Sequence, residues 1–312
     1  MNIVVMATYN GSQFIIKQLE SIRLQSKTLD SVIIIDDCST DNTPYLIQDY
    51  INQYKLNHWV LYQNIENQGH YKTFFSGLSK VRNLTAQDFI FLSDQDDIWD
   101  IDKVERMSKV FDDSPEITMV ACRSKFIDQD DKLLYSESNT GKKIELSYFD
   151  ICKKWPSGYQ MALRGDILKI ALDNKIDNFE GFYFHDVLLA LFYGLYGKQI
   201  LLDLTLDNHR LHANNSTKRI NKSGIESKEN VIKHLINCQK RFNSINSYSK
   251  FHNMSEKSLV LDHMIEFLDL RYRLIKEKNI FLLFFLLFNL SSYERKELIL
   301  RDIFYSYFYK EK

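Results

Sequence analysis

Cysteine is scarce in this sequence, and its spacing argues against two classes of protein. The chain has only four cysteines among 312 residues, Cys38, Cys122, Cys152 and Cys238, and no two of them form a Cys-x-x-Cys pair. Disulfide scaffolds and zinc knuckles need cysteines at closer and more regular spacing. We therefore expect reduced thiols, as in a cytoplasmic protein.

An excess of basic charge is also absent from the sequence. The 40 lysines and arginines are balanced by 41 aspartates and glutamates, which gives a formal net charge of -1. Proteins that bind nucleic acid usually carry a basic patch or stripe. We therefore expect no nucleic acid among the main partners of this protein.

No apolar run in the sequence is long enough for a transmembrane helix. The run at residues 280–288 has nine residues, whereas a helix needs about 20 to cross a bilayer. Residue 2 already begins a strand-like run, without the basic and longer apolar segments of a signal peptide. We therefore expect a cytoplasmic protein. The apolar run could lie on the inner face of the plasma membrane, form a contact in a homo-oligomer or be a buried helix.

What the sequence does contain is an alternation of strand and helix patterns over its first hundred residues. Residues 2–7 and 31–36 have the composition of buried strands, and residues 13–25 have the periodicity of an amphipathic helix. This alternation predicts an α/β fold with a doubly wound, mostly parallel sheet. Hydrophobic residues make up 45% of the chain, which is enough for a large core.

Beyond residue 101 the alternation is looser. Residues 128–143 contain few apolar anchors, and we interpret them as a loop or lid. From about residue 221 onward the patterns are almost entirely helical. The sequence therefore predicts an α/β domain over residues 1–220 and a helical C-terminal region over residues 221–312.

An apolar strand that ends in three carboxylates is the most informative feature of the chain. Residues 89–92 are apolar and are followed by Asp94, Asp96 and Asp97. Open α/β sheets hold their ligands at the carboxyl ends of such strands. Crowded carboxylates repel one another, so a hard cation is the expected partner. Mg²⁺ or Mn²⁺, bound by one or two carboxylates and by phosphate oxygens, is the usual arrangement.

Six motifs occur over residues 1–215 in an order that is typical of one enzyme family. They are Ala7-Thr-Tyr-Asn-Gly11, Asp36-Asp-Cys-Ser-Thr-Asp41, Asn67-Gln-Gly69, Ser93-Asp-Gln-Asp-Asp-Ile-Trp99, His185-Asp186 and His209-Arg-Leu-His-Ala-Asn-Asn215. In this order they resemble the family 2 inverting glycosyltransferases of the GT-A fold, and most of all the bacterial rhamnosyltransferase-like members. The resemblance implies transfer of a sugar from dTDP-rhamnose or a UDP-hexose to a glycan or polyprenol-linked acceptor in cell-surface polysaccharide synthesis.

The resemblance also implies how the acidic cluster works. It places Asp94 near the ribose of the donor and assigns Asp96 as a ligand of a divalent cation, Mn²⁺ or Mg²⁺. His212 completes the metal shell or touches the diphosphate. A cation that bridges the diphosphate oxygens stabilises the charge that develops in the transition state. Asp97 either supports the metal or caps the next helix.

Donor-binding roles follow from the same resemblance. It places Ala7 and Tyr9 in the loop that holds the donor, with Tyr9 packed on the nucleobase, and it assigns Asp36 to reading the base. Lys72 and Arg210 would face the diphosphate. Three of these residues have a structural alternative: Tyr9 as a core tyrosine, Lys72 as a solvent-exposed lysine, and Arg210 paired with a neighbouring carboxylate. Asp37, next to Asp36, could instead cap the following helix through its turn.

Asp186 is the expected general base. In the resemblance it removes the proton of the acceptor hydroxyl while that oxygen attacks the anomeric carbon in a single inverting displacement. A helix-capping role for Asp186 is compatible with this function. Residues 155–159 resemble the acceptor-side turn of the family, although Tyr159 departs from the residues usually found there, which leaves the acceptor open.

Two other classes of function account for part of the pattern. A nucleotidyltransferase also uses a Rossmann-like sheet and carboxylate-bound Mg²⁺, but it normally has a glycine-rich basic loop after the first strand, where this chain has Ala-Thr-Tyr-Asn-Gly. A catalytically silent module that binds sugar nucleotides or glycans would share the fold without turnover.

Overall fold

A computed structural model describes residues 1–212, 215 and 227–309. These residues form two compact units. The first contains Met1–Ser147, Pro156–Asp177 and Phe184–Asn215, and the second contains Tyr148–Trp155, Asn178–Tyr183 and the described residues from 227 onward. The predicted domain boundary near residue 220 lies outside the described residues.

The first unit is built on a mixed sheet with both parallel and antiparallel strand pairs. Its described strands are β1 (Asn2–Thr8), β2 (Ser31–Asp36), β3 (Trp59–Gln63), β4 (Phe89–Ser93), β5 (Ile98–Trp99), β6 (Ile117–Ile127), β7 (Leu133–Ser136), β8 (Lys143–Leu146), β9 (Met161–Arg164) and β10 (Lys198–Arg210). Their order is β3-β2-β1-β4-β9-β6-β10-β5, with β7 beside β6 and β8 beside β10. Strands β1 to β4 are mutually parallel where they pair, and β9 is antiparallel to both of its neighbours. The predicted α/β class is confirmed.

Helices flank this sheet along the chain. The helices of the first unit are α1 (Ile15–Arg23), α2 (Thr43–Gln53), α3 (His70–Leu78), α4 (Lys103–Phe111), α6 (Gly165–Asp173) and α7 (His185–Tyr196). Helix α1 shows why these segments fold as they do: Ile15, Leu19 and Ile22 fall on one helical face and are completely buried. Helix α7 is apolar on nearly every side because it is buried almost throughout.

The parallel strands bring the functional motifs to one edge of the sheet. Every residue of β4 is buried, and β2 is buried from its second residue onward, which is why both segments are apolar runs without alternation. Residue pairs such as Thr8 with Asp36 and Met6 with Ser93 fix the register of β1 against β2 and β4. The loops after these three strands therefore begin side by side.

The interpretation of residues 128–143 as a loop was wrong in part. Strand β7 pairs antiparallel with the end of β6, and strand β8 starts at Lys143 and pairs with β10. All four residues of β7 are exposed. The strand therefore has no buried face, and the sequence has no apolar alternation that would predict it. It is held by backbone pairing and by the Phe126 and Tyr135 rings, which stack at 4.3 Å between centroids.

The second unit is helical, as expected for the C-terminal region. Its described helices are α5 (Tyr148–Lys153), α8 (Lys228–Phe251), α9 (Ser255–Glu277), α10 (Ile280–Phe288) and α11 (Leu298–Ile303). A buried ion pair ties α9 to α11, because Arg271 Nε lies 2.6 Å from Asp302 Oδ2. None of the helices in the described ranges has both the length and the apolarity that a bilayer crossing requires.

Candidate active site

The loops after β1 and β4 are joined by a side chain that the sequence analysis did not single out. The Gln95 amide donates to the Tyr9 carbonyl at 2.9 Å and accepts from the Tyr9 amide at 2.8 Å. A Cβ at Gly11 would collide with the end of the Gln95 side chain, so any larger residue there would require Gln95 to move. Gln95 is the middle residue of Asp94-Gln95-Asp96, and it holds this acidic loop against the first loop of the sheet.

Asp94 lies beside a histidine at the start of α3. His70 Nε2 is 3.5 Å from Asp94 Oδ1. Burial alone would lower the pKa of His70, but the hydrogen bond to Asp94 and the charges of Asp94, Asp186 and Asp96 raise it. In turn, burial would raise the pKa of Asp94, and His70 lowers it. His70 was missed in the sequence, although it follows the Asn67-Gln-Gly69 motif directly.

Asp96 and His212 meet at the same edge, as two ligands of one metal would. His212 Nε2 is 2.7 Å from Asp96 Oδ2, and the two side chains are 12% and 13% exposed. Among the described residues no group of three His, Cys, Asp or Glu side chains is placed to hold a metal ion. A carboxylate and an imidazole suit Mn²⁺ or Mg²⁺ when phosphate oxygens or water supply the other ligands. The donor set therefore fits a cation that binds together with the diphosphate.

Asp97 anchors the end of β10. Its side chain is completely buried, and Oδ1 lies 2.9 Å from His209 Nδ1 and accepts from the Arg210 amide at 3.1 Å. Burial raises the pKa of Asp97 to about 6, against the lowering effect of His209. The alternative that Asp97 caps the next helix is wrong, because α4 begins only at Lys103.

His209 makes the stability of this edge depend on pH. Burial would lower the pKa of His209, but Asp97 raises it to about 9, above the roughly 6.5 of an unfolded histidine. This raised pKa stabilises the fold fully below about pH 6.5, and the stabilisation is lost as pH rises through about 9. With divalent cations chelated, we expect the free energy of unfolding to fall by on the order of 1–3 kcal/mol across this window.

The variant that tests this prediction is His209→Gln, whose free energy of unfolding should fall less between pH 6.5 and 9 than that of the wild type. Urea unfolding at several pH values measures this free energy. His58→Gln, at an exposed histidine, serves as the control. An equally steep decline in His209→Gln would show that another group is responsible.

Arg210 is placed for structure rather than for a phosphate. The side chain is fully buried; Nε donates to the Asp96 carbonyl at 2.9 Å, and Nη1 donates to the Asp128 carbonyl at 2.9 Å and lies 2.6 Å from Asp131 Oδ1. The guanidinium also stacks on Phe14 at 4.6 Å. The prediction that Arg210 binds the donor is therefore corrected: these contacts favour the paired alternative, in which Arg210 shapes the loop that carries Asp96.

Asp36 is likewise engaged within the protein. It is 1% exposed, and its Oδ1 accepts from the hydroxyls of Thr8 (3.0 Å) and Ser39 (2.6 Å), while Oδ2 accepts from the Ser39 amide at 2.9 Å. These contacts hold the turn after β2 in place, and the assignment of Asp36 to reading the base stays a prediction. Asp37 accepts from the amides of Gln68 and Gly69, both at 2.8 Å, and so holds the loop before α3.

The remaining predicted donor contacts lie at the same edge or close to it. Tyr9 is 46% exposed, so the alternative of a core tyrosine is wrong, and its ring is accessible to a ligand. Ala7 lies next to the end of β1, paired with Ile35. Lys72 is exposed in the first turn of α3, which fits both its proposed contact with the diphosphate and the solvent-exposed alternative.

Asp186 stands in the first turn of α7, near enough to His70 for its charge to raise the pKa of that histidine. Its Oδ1 accepts from the Val187 amide at 2.7 Å, and the side chain remains partly exposed. The preceding His185 is buried, with its ring stacked on Phe74 at 3.8 Å between centroids. A Cβ at Gly158 would collide with His185, so the glycine of the predicted acceptor-side turn allows this packing.

Solved structures with a similar fold identify the fold class. The chain superposes on residues 1–349 of Staphylococcus aureus TarS in complex with UDP-GlcNAc with a TM-score of 0.58, 17% identity, and coverage of 77% of this chain and 66% of that one. The mannosyltransferase PcManGT from Pyrobaculum calidifontis, in complex with GDP-Man and Mn²⁺, gives a TM-score of 0.52 at 14% identity over 84% of this chain and 73% of that one. At these identities the likeness shows the fold, which is GT-A.

The sequence then defines the family. Residues 3–168, just over half of the 312 residues, match the family described as glycosyl transferase family 2. The chain therefore belongs to glycosyltransferase family 2, as its motifs predicted.

Two curated relatives match parts of the chain. It is 40% identical over 101 residues to the dTDP-rhamnosyl transferase RfbG of Shigella flexneri, which is 32% of this chain and 34% of that protein. It is 32% identical over 100 residues to the poly(ribitol-phosphate) beta-N-acetylglucosaminyltransferase TarS of Staphylococcus aureus, which is 30% of this chain and 16% of that protein. The chain thus spans about a third of the first relative and less of the second.

Proposed function

We propose that this glycosyltransferase moves a sugar from a nucleoside-diphosphate donor to a hydroxyl of a glycan or polyprenol-linked acceptor, with inversion at the anomeric carbon. The observation that carries this proposal is that Asp94 and the His185-Asp186 pair meet at His70: Asp94 Oδ1 lies 3.5 Å from His70 Nε2, and the His70 and His185 rings are 4.9 Å apart between centroids. Asp94 and Asp96 lie in the loop after β4 and suit the donor side, whereas Asp186 lies on α7 and suits the acceptor side.

A divalent cation belongs to this proposal because Asp96 and His212 offer two ligands at one point. When bound, such a cation neutralises the departing diphosphate. The protein positions its own groups for this: Gln95 holds the acidic loop against Tyr9, and Arg210 fixes the Asp96 carbonyl. Both contacts reduce the freedom of the loop before any ligand arrives, which is the preorganisation that electrostatic catalysis needs.

The chemical step is a single displacement. The Asp186 carboxylate accepts the proton of the acceptor hydroxyl as the acceptor oxygen forms a bond to the anomeric carbon. The bond between that carbon and the diphosphate oxygen breaks at the same time, and the nucleoside diphosphate leaves with the electron pair. Attack from the face opposite the diphosphate inverts the anomeric centre, and no covalent bond between sugar and enzyme forms.

We propose dTDP-rhamnose or a UDP-hexose as the donor. We further propose that the enzyme acts in the cytoplasm, in the synthesis of a cell-surface polysaccharide. Support comes from the relatives: RfbG is named a dTDP-rhamnosyl transferase, and TarS has been solved with UDP-GlcNAc. The exposed ring of Tyr9 is available to stack on either pyrimidine.

A thermal-shift screen tests the donor class. Because a ligand that binds only the folded protein raises its melting temperature, we expect a UDP- or dTDP-sugar to raise it in the presence of Mn²⁺ and less so after chelation, with GDP-sugars as the comparison. The best donor is then incubated with glycan and polyprenol-linked acceptors. Binding without transfer to any acceptor would favour a silent binding module, and no shift with any pyrimidine nucleotide would contradict the proposal.

A further inference from the structure

Helix α10 exposes more apolar surface than any role inside its own unit explains. All nine of its residues are apolar, and within the described chain six of them are between 49% and 76% exposed: Ile280, Phe281, Phe284, Phe285, Leu287 and Phe288. Leu282 and Leu286, one turn apart, are buried and attach the helix to its unit. The expectation that this run could be a buried helix is therefore wrong.

The exposed surface continues beyond the helix. The Tyr307 hydroxyl donates to the Lys278 carbonyl at 3.1 Å, which brings the end of the described chain to the start of α10. The next residue, Phe308, is 70% exposed. Exposed apolar groups of this size in a contiguous patch mark a contact with another protein or with lipid.

The chemistry of the patch favours lipid. The exposed residues cover an arc of about 160° of the helix, taking 100° per residue, and no side chain in the nine residues carries a polar atom. Protein interfaces carry about one hydrogen bond per 100–200 Å², and this face offers no side-chain donor or acceptor. Nine residues span only about 14 Å as a helix, a length that suits a helix lying in the plane of a membrane surface.

Charges at the start of the helix complement an anionic surface. Lys276 and Lys278 precede it and are exposed, and Glu277 between them lies 3.3 Å from Arg273 and is neutralised there. At the other end Arg295 and Lys296 are balanced by Glu294, 4.0 Å from Arg295, and Glu297. Long basic side chains that flank an apolar helix can reach lipid phosphates while the helix lies in the acyl boundary.

We propose that α10, together with Phe308, docks this protein on an anionic lipid bilayer, with the phenylalanines of the exposed arc inserted at the level of the headgroups. The inference stands on this helix and its flanks and does not depend on the proposed reaction.

Sedimentation with vesicles tests this docking. The full chain is mixed with vesicles of phosphatidylethanolamine and phosphatidylglycerol, or of phosphatidylcholine alone, and pelleted. We expect the wild type to pellet with the anionic vesicles and the variant Phe281→Ser/Phe284→Ser/Phe288→Ser to bind at least about 10-fold more weakly. The variant Lys276→Gln/Lys278→Gln should lose affinity only for vesicles with phosphatidylglycerol.

The matched control is Phe251→Ser, because Phe251 is 81% exposed in the same unit but outside α10; its binding should equal that of the wild type. If the triple variant melts at a lower temperature, the single variants at Phe281 and Phe288, the two most exposed residues of the arc, replace it. Absence of wild-type binding, or equal binding by the α10 variants, would overturn the proposal. So would a wild-type oligomer that the triple variant dissociates, since α10 would then be a subunit interface.

Discussion

Replacing Asp96 by asparagine is expected to reduce sugar transfer by at least about 100-fold, the scale of losing a main electrostatic contribution to the transition state. The reason is local: Asp96 supplies the carboxylate that meets His212 at 2.7 Å, and an amide is a poor ligand for a hard cation. The measurement is the transfer rate over a series of Mn²⁺ concentrations, with Mn²⁺ affinity determined separately by calorimetry in the presence of the nucleotide.

Two further variants make the Asp96 result specific. Asp130→Asn removes an exposed carboxylate elsewhere in the same unit and should change neither rate nor affinity. His212→Asn should weaken Mn²⁺ binding in the same direction as Asp96→Asn, because both residues would hold one ion. Wild-type activity in Asp96→Asn, or unchanged Mn²⁺ affinity in a folded variant, would remove Asp96 from the metal site.

Much of the first half of the fold could be predicted because β1, β2 and β4 are buried on both faces. Residues 32–35 of β2 and 89–92 of β4 are all apolar, and the intervening helices carry buried residues at helical spacing, so strands and helices could be told apart. Strand β7 could not be predicted in this way, since its four exposed residues are held only by pairing with β6. A sequence pattern detects burial, and β7 has none.

The residues of the candidate site could likewise be predicted only in part. Residues that sit in an ordered motif, such as Asp96 and His212, were predicted and do lie together. Gln95 and His70 were missed because their contacts depend on loops that are far apart in sequence. For Asp36 and Arg210 the residue type indicated a contact with a ligand. The sequence does not show that their polar groups already form hydrogen bonds within the protein, Asp36 with Ser39 and Arg210 with a backbone carbonyl.

The same limit applied to the apolar run at residues 280–288. Its composition was compatible with a membrane contact, an oligomer contact or a buried helix, since all three require apolar residues. Only the fold shows that the buried contacts of α10 come from Leu282 and Leu286, while its phenylalanines remain exposed. Whether a segment is exposed depends on which parts of the fold pack against it. The sequence of the segment alone does not show which parts these are.

Replacing Asp186 by asparagine is expected to separate donor binding from chemistry. The amide oxygen of asparagine can still accept from the Val187 amide at the start of α7, so the helix should begin at the same residue and the fold should be retained. A neutral amide cannot take a proton from the acceptor hydroxyl, and we expect the transfer rate to fall at least about 100-fold, the usual size of a general-base contribution. The rate is measured with saturating donor and acceptor.

Donor affinity is the second measurement on Asp186→Asn, and it decides between a base and a merely structural residue. The thermal shift produced by the nucleotide sugar should be close to that of the wild type, because the acids on the donor side, Asp94 and Asp96, are unchanged. The control Asp177→Asn replaces an exposed aspartate that precedes α7 in the chain. It should retain both the donor-induced thermal shift and the transfer rate of the wild type. Normal turnover in Asp186→Asn would assign the proton transfer to another group, whereas loss of the donor-induced shift would place Asp186 in the donor site.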